Sequence, residues 1–310
     1  MTRVATASTY SAVLDNLMAA QQKQIDAATR VSSQKQATDL KGYSANAETL
    51  AALQANQTTV KGYLDQSTVL SNKLSTQDLA LNQVADAATG ASQAIKNALA
   101  SGNGDSMMQA LQGYFQNAVG GLNMKFDGHY LFSGGQVNTQ PVSATQLSDL
   151  TAAPSVASLF HNDQYVTSNQ LDESTSIKSG FLADGLGTPL FNAFKAIEAY
   201  DQGPNGPFTG TLTQAQQTFL QSQIPSFDTA GTNLTYTAGQ NGLMQNQVDA
   251  ATTDLTSRQT MLQTLTGKIT DADPAQAAAD LSQAQYAVQA AAQVFASLKA
   301  SSLLTLLPNG

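Results

Sequence analysis

The 310-residue sequence contains no cysteine and no tryptophan. The lack of cysteine excludes disulfide bonds, zinc–thiolate sites and thiol nucleophiles. Charged residues are scarce, at 12% of the chain, about half the usual share. Acidic side chains outnumber basic ones, 22 to 14, for a formal net charge of -8. Because nucleic-acid binding needs clustered positive charge, we predict no nucleic-acid partner.

The sequence also lacks long apolar runs. The nearest one, at 301–307, is far shorter than the roughly 20 residues that span a bilayer. The first 24 residues, MTRVATASTYSAVLDNLMAAQQKQ, include one arginine but no continuous apolar stretch. We therefore expect neither a membrane span nor a cleaved signal peptide.

Proline is absent from residues 1–140 and 226–273, and six of the eight prolines lie between 141 and 225. A proline inside a helix costs about 3 kcal/mol. The proline-free tracts therefore predict long helices, and the proline-rich middle predicts irregular structure.

The two proline-free tracts repeat apolar residues every seven positions, which predicts narrow stripes suited to coiled-coil packing. We expect the two stripes to pair antiparallel in a helical rod. Packing of each stripe on a local neighbour is the alternative. The predicted rod core comprises Leu53, Val60, Leu74, Leu81, Ile95, Val248, Leu255, Leu262 and Ile269.

Both chain ends resemble amphipathic helices with narrow, alanine-rich stripes, and Asp273-Pro274 is a helix start signal. One narrow stripe buries too little apolar surface to offset the entropy of ordering an isolated helix. We therefore expect the terminal helices to become ordered against each other and against neighbouring subunits. The predicted assembly interface comprises Tyr10, Val13, Leu17, Ala20, Val31, Leu281, Val288, Ala291, Phe295, Leu298, Leu303 and Leu306.

The stretch GHYLFSGGQ, residues 128–136, follows a helix predicted from Met107 to about Phe126 with Asp105 as its cap. It lacks the spacing of a phosphate loop and the G-x-S-x-G pattern of a serine nucleophile. Its aromatic and apolar residues favour a strand, and its paired glycines favour a turn. We predict a joint between the rod and an outer module, formed by Tyr130, Phe132, Gly134 and Gly135.

Few residues suggest chemistry. His129 and His161 have no second ligand at metal-binding spacing. Asp172-Glu173 could be paired carboxylates, but a polar run surrounds them and favours a solvated loop. The segment 201–207 offers one carboxylate, too few for a calcium loop. We predict no catalytic, cofactor-binding or metal-binding residues.

The two ends and the 128–136 stretch resemble a known family. Residues 1–33, MTRVATASTYSAVLDNLMAAQQKQIDAATRVSS, are similar to the N-terminus of the flagellin superfamily, and residues 273–307 to its Ala/Gln-rich C-terminus. Within it, GHYLFSGGQ with the downstream Pro141 resembles the G-x-Y-(I/L)-F-S-G stretch of the hook-associated protein 3 family. Gln34 stands where the superfamily usually has glycine, and its Asp-Asp motif is reduced to Thr38-Asp39.

The resemblance implies a non-enzymatic subunit of the bacterial flagellum, an adaptor ring at the hook–filament junction. It implies type III export without a cleaved signal and an extracellular location. The implied partners are further copies in a ring, a neighbouring hook-associated protein, flagellin and a cytoplasmic export chaperone. A filament flagellin is the nearer alternative; a surface binding protein or hydrolase using the middle region is the distant one.

The expected fold is mainly α, a long antiparallel helical bundle or coiled-coil rod carrying a small mixed α/β outer module. We expect two assembly helices, at 1–42 and 273–310. Between them, 43–140 and 229–272 would form the rod, and 141–228 the outer module.

Overall fold

The structure is a computed structural model, and it describes the backbone of residues 2–304 and the side chains of residues 8–300. Long α-helices dominate these residues, with short antiparallel strand pairs between them, so the expected mainly α fold is confirmed. The helices are α1 (Thr2–Ser33), α2 (Ala47–Ser101), α3 (Met107–Leu122), α4 (Leu147–Ala152), α5 (Ala183–Asp201), α6 (Gln214–Thr270) and α7 (Pro274–Leu304). The strands are β1 (Lys125–Phe126), β2 (His129–Tyr130), β3 (Ser168–Gln170) and β4 (Ser176–Lys178).

The chain divides into two compact units. The first unit combines Met1–Thr59 with Arg258–Gly310, and the second is Val60–Ser257. Leu306 lies outside the described residues, and Leu303 lies outside those with described side chains. The structure therefore gives no contacts for either predicted interface residue.

In the first unit, α1 packs along α7. The helix α7 begins where the sequence signal places it, because the Asp273 carboxylate accepts hydrogen bonds from the N–H groups of Ala275 and Gln276 at 2.8 and 3.2 Å. Such a cap satisfies N–H groups that have no partner within the helix.

The segments that follow α1 and precede α7 are joined by backbone hydrogen bonds. The Gln36 N–H donates to the Thr270 carbonyl at 2.8 Å, and the Ala272 N–H donates to the Gln34 carbonyl at 2.9 Å. We call residues 34–36 and 270–272 the clasp. A 3₁₀ helix, Leu40–Asn46, then leads into α2.

The second unit holds the main core. The buried face of α2 between 80 and 98 packs with α3, α5 and the first half of α6. Four phenylalanines join α3, α5 and α6 through ring contacts of 5.0 to 5.5 Å between centroids, a spacing typical of favourable aromatic pairs. They are Phe115, Phe191, Phe194 and Phe227.

Proline placement proves a poor guide to the middle of the chain. The expectation of irregular structure from 141 to 225 is wrong for α5 and for the start of α6, which contain Pro189 and Pro225. Each proline removes one helical hydrogen bond. Buried side chains next to both prolines, Leu190 and Phe227 among them, anchor these helices in the core and offset that loss.

The predicted helix around Met107 begins where expected but ends earlier and has a different cap residue. It ends at Leu122, and β1 and β2 form a short hairpin immediately after it. Ser106, and not Asp105, occupies the N-cap position. The Asp105 carboxylate instead accepts a hydrogen bond from the Gly210 N–H at 2.6 Å, a contact that also lowers the pKa of Asp105.

Candidate assembly interface

Most predicted interface residues lie between α1 and α7. Their inward side chains recur in alternating three- and four-residue steps, and Ala20 and Ala27 are buried. The rings of Tyr10 and Phe295 contact each other at 5.1 Å between centroids. These side chains therefore pair α1 with α7 within one chain. Val31, another predicted interface residue, is exposed. The half-buried members are Val13, Leu17, Leu281, Val288, Ala291, Phe295 and Leu298.

Away from the inward stripe, the exposed surfaces of α1 and α7 carry a second set of apolar side chains, which was not predicted from the sequence. In α1, Leu14, Met18 and Ile25 are exposed, the last two at 59% each. In α7, Tyr286 and Val294 are exposed at 71% and 52%. We call these five residues the outer apolar face. The spacing of Leu14, Met18 and Ile25 along one helix side was the signal that could have identified them.

Charge is sparse between α1 and α7. The Arg30 guanidinium lies 3.7 Å from the Asp280 carboxylate, and both side chains are partly exposed. Such surface pairs contribute roughly 0–1 kcal/mol. Cohesion of the pair therefore depends mainly on its apolar contacts.

The two residues that depart from the flagellin pattern, Gln34 and Asp39, lie in the clasp and just after it. Gln34 has φ 57°, in the left-handed region where glycine is favoured, so the usual glycine would suit the same backbone. The Asp39 carboxylate accepts a hydrogen bond from the Gly42 N–H and caps the 3₁₀ helix. Beside them, the Lys35 ammonium pairs with Asp271 and, through that hydrogen bond, lowers the pKa of the carboxyl.

The predicted joint residues have distinct environments. Tyr130 is half-buried, with the Lys125 ammonium 4.4 Å from its ring centroid. Phe132 is fully buried, and its carbonyl accepts from the N–H of Ala183 at the start of α5. Gly134 has φ 72°. The Gly135 N–H donates to the Asp163 carboxylate at 2.8 Å, which contributes to the lowered pKa of Asp163.

The predicted rod-core residues differ in burial along the two long helices. Residues nearer the main core are buried, whereas those nearer the clasp are partly exposed. Two buried polar residues were not predicted: Asn241 lies seven residues before Val248, and Gln77 lies between Leu74 and Leu81. The buried members are Leu74, Leu81, Ile95, Val248 and Leu255, and the partly exposed ones are Leu53, Val60, Leu262 and Ile269.

Of the residues that could suggest chemistry, His129 lies in β2, whereas His161 and Asp172 lie in loops. His129 is exposed, with Nδ1 3.0 Å from the Asn138 side-chain oxygen, and His161 is also exposed. Hydrogen bonds from Ser174 and Thr175 lower the pKa of Asp172 to about 2, as expected for a turn aspartate. Among the described residues, no group of acidic and histidine side chains could hold a metal ion. Nor does any described helix combine the length and apolarity required to cross a bilayer.

Residues 224–307 match the family model described as the bacterial flagellin C-terminal helical region. Among solved structures, the chain is similar to a protein from Vibrio parahaemolyticus assigned to the flagellar hook-associated proteins, with 16% identity and a TM-score of 0.59 over 73% of this chain and 97% of that one. It is also similar to FlgL from Bacillus cereus, with 16% identity and a TM-score of 0.52 over 70% and 98% of the two chains. No curated protein matches. The C-terminal segment is thus flagellin-like, and the chain shares the fold of these flagellar proteins.

Proposed function

We propose that the protein is a structural subunit of the bacterial flagellum that assembles through its paired terminal helices. The observation that carries this proposal is the outer apolar face, which lies on the helix pair whose C-terminal member falls inside the flagellin-like segment. Apolar residues exposed along one side of a helix, as Leu14, Met18 and Ile25 are, are typical of surfaces that bind other proteins. Neighbouring subunits would bury them.

Within the flagellum, we propose a place at the hook–filament junction, as expected of hook-associated protein 3. The likeness of fold to a flagellar hook-associated protein supports this place, as does the GHYLFSGGQ stretch; a filament flagellin is the alternative. The partners would be further copies in a ring, a neighbouring hook-associated protein and flagellin. Export without a cleaved signal, aided by a cytoplasmic chaperone, completes the proposal.

Substitution on the outer apolar face tests assembly. Met18→Asp should abolish incorporation into flagella, since it places a charge in a surface that neighbouring subunits would bury. Asn16→Asp is the matched control, because it adds the same charge at an already polar, exposed position on the side of α1 turned away from Met18. Incorporation and swimming should be close to normal with Asn16→Asp. Normal incorporation of Met18→Asp would contradict the proposal.

The predicted stripe offers a second test. Phe295→Asp and Leu17→Asp should separate α1 from α7 and block both incorporation and motility. The second unit should melt at its usual temperature by circular dichroism, because neither residue belongs to it. Normal swimming of cells carrying either variant would show that the paired helices are not needed for assembly.

The place in the flagellum is tested by immunogold labelling of isolated flagella. Label confined to the hook–filament boundary is the expected result. Label along the whole filament would identify a filament subunit instead. If a strain expresses the protein but its flagella carry no label, both the junction and the filament assignments are wrong.

A further inference from the structure

The second unit contains a small apolar cluster separate from its main core. Leu70 and Leu74 of α2 and Val248 of α6 form one side of it. Leu171 and Ile177, from the β3–β4 hairpin, form the other side. The hairpin thus covers α2 and α6 where they pair outside the main core.

The helix pair under this hairpin has a polar interior. The side-chain amides of Asn241 and Gln245 both donate to the Leu74 carbonyl, at 2.8 and 3.2 Å. One turn along α2, the side-chain amide of Gln77 donates to the carbonyl of Ser179, just after β4. We call Gln77, Asn241 and Gln245 the polar layer. It links α2 to α6 and to the hairpin at nearly the same height.

The polar layer is incompletely hydrogen-bonded. The side-chain oxygens of Gln77 and Asn241 are buried without a hydrogen-bond partner among the described residues, and so is the hydroxyl of Ser67 nearby. Burying a polar group without a partner opposes folding, whereas contact with water supplies the missing hydrogen bond. Lys73 lies in the same stretch of α2, and desolvation lowers its pKa. This part of the helix pair therefore gains from contact with water more than the main core does.

We propose that the β3–β4 hairpin is a strap that seals the polar layer and so controls the local stability of the α2–α6 pair. Docked, the strap buries Leu171 and Ile177 on the helices and keeps water from the layer. Undocked, it removes that apolar burial and admits water to the unpaired oxygens. The helix pair then opens more readily beneath it while the main core stays closed.

The test is amide hydrogen exchange on the full-length chain. Ile177→Asp should undock the strap, since Ile177 is buried in the apolar cluster. Exchange at residues 67–77 and 241–248 should then accelerate by about tenfold or more, whereas residues 84–98 and 111–122 keep their protection. Ser176→Asp, on the exposed face of the same strand, supplies the matched charge and should leave all four segments unchanged.

The same substitution in a second variant chain distinguishes sealing of the polar layer by the strap from general destabilisation by Ile177→Asp. In a Gln77→Leu, Asn241→Leu chain the unpaired oxygens are absent and the layer no longer favours water, so Ile177→Asp should accelerate exchange much less than in the native chain. Equal acceleration in both backgrounds would overturn the proposal. So would unchanged exchange under the strap, or loss of protection throughout the main core. Unfolding of the leucine background would also contradict it, because the account expects that background to be at least as stable as the native chain.

Discussion

The two units use the same kind of helix stripe and differ in what covers it. Among the described side chains of α1 and α7, the buried apolar residues are all alanines, at 20, 27, 277 and 284. In the second unit, α3 and α5 add a further layer, and whole phenylalanine rings are buried. When only two helices pack together, each shields just one narrow face of the other from solvent. A seven-residue stripe therefore predicts that two helices are in contact. Complete burial of the stripe requires a third layer, from the same chain or from another subunit.

The largest expected contrast comes from one truncation made in both units. Phe115→Ala removes a fully buried ring and should destabilise the second unit by about 3–5 kcal/mol. Phe295→Ala removes a half-buried ring and should destabilise the first unit by only about 1–2 kcal/mol. Urea denaturation followed by probes in each unit measures both. Equal losses of unfolding free energy in the two units would contradict the difference in burial between them.

Two glycines of α3 test how closely α2 and α3 pack in the second unit. A Cβ at Gly121 would lie 2.7 Å from a Val84 methyl and 3.0 Å from the Ala80 carbonyl oxygen, so Gly121→Ala should cost about 1–3 kcal/mol. A Cβ at Gly113 meets nothing within 4 Å. Gly113→Ala should stabilise by about 0.5–1 kcal/mol, because glycine is the weaker helix former. Thermal melts of the two variants should shift in opposite directions; a shift in the same direction would refute the packing of α2 on α3.

In the first unit, the clasp provides a smaller effect. Gln34→Gly should stabilise by about 0.5–1 kcal/mol, because glycine adopts the left-handed backbone without the cost that a Cβ incurs there. Gln34→Ala retains the Cβ and should change stability little. The two variants are compared by chemical denaturation of the first unit. Equal stabilities would show that the backbone at Gln34 is not left-handed in solution.

The smallest effect concerns a buried carboxyl in the main core. Burial raises the pKa of Glu198, the hydrogen bond from Gln202 opposes this rise, and the nearby Asp201 adds to it. Because the pKa of Glu198 is raised in the folded state, its contribution to the free energy of unfolding is fully present below the ordinary glutamate pKa. That contribution is lost as the pH rises through the folded-state pKa. Glu198→Gln should therefore raise the melting temperature slightly at neutral pH. At a pH below the ordinary glutamate range the variant and native chains should melt together, which calorimetry at both pH values can check.

The sequence predicts the features that depend on local rules. Proline-free tracts and seven-residue spacing predicted the long helices, and Asp273-Pro274 predicted the start of α7. It missed α5 and the early start of α6, because packing of Leu190 and Phe227 outweighs the penalty of nearby prolines. The polar layer was missed because hydrogen bonds such as that from Asn241 to the Leu74 carbonyl depend on which helices meet. The outer apolar face does not follow from the alanine-rich stripe, because Leu14, Met18 and Ile25 lie on another side of α1.

Amide hydrogen exchange before and after assembly tests the central claim most directly. In the dilute monomer, residues 8–33 and 274–300 should exchange much faster than residues 84–98 and 111–122 of the second unit. In assembled flagella, the terminal segments should become as protected as the core, because neighbouring subunits bury their outer face. Terminal helices already as protected in the monomer as the core, with no change on assembly, would contradict the account.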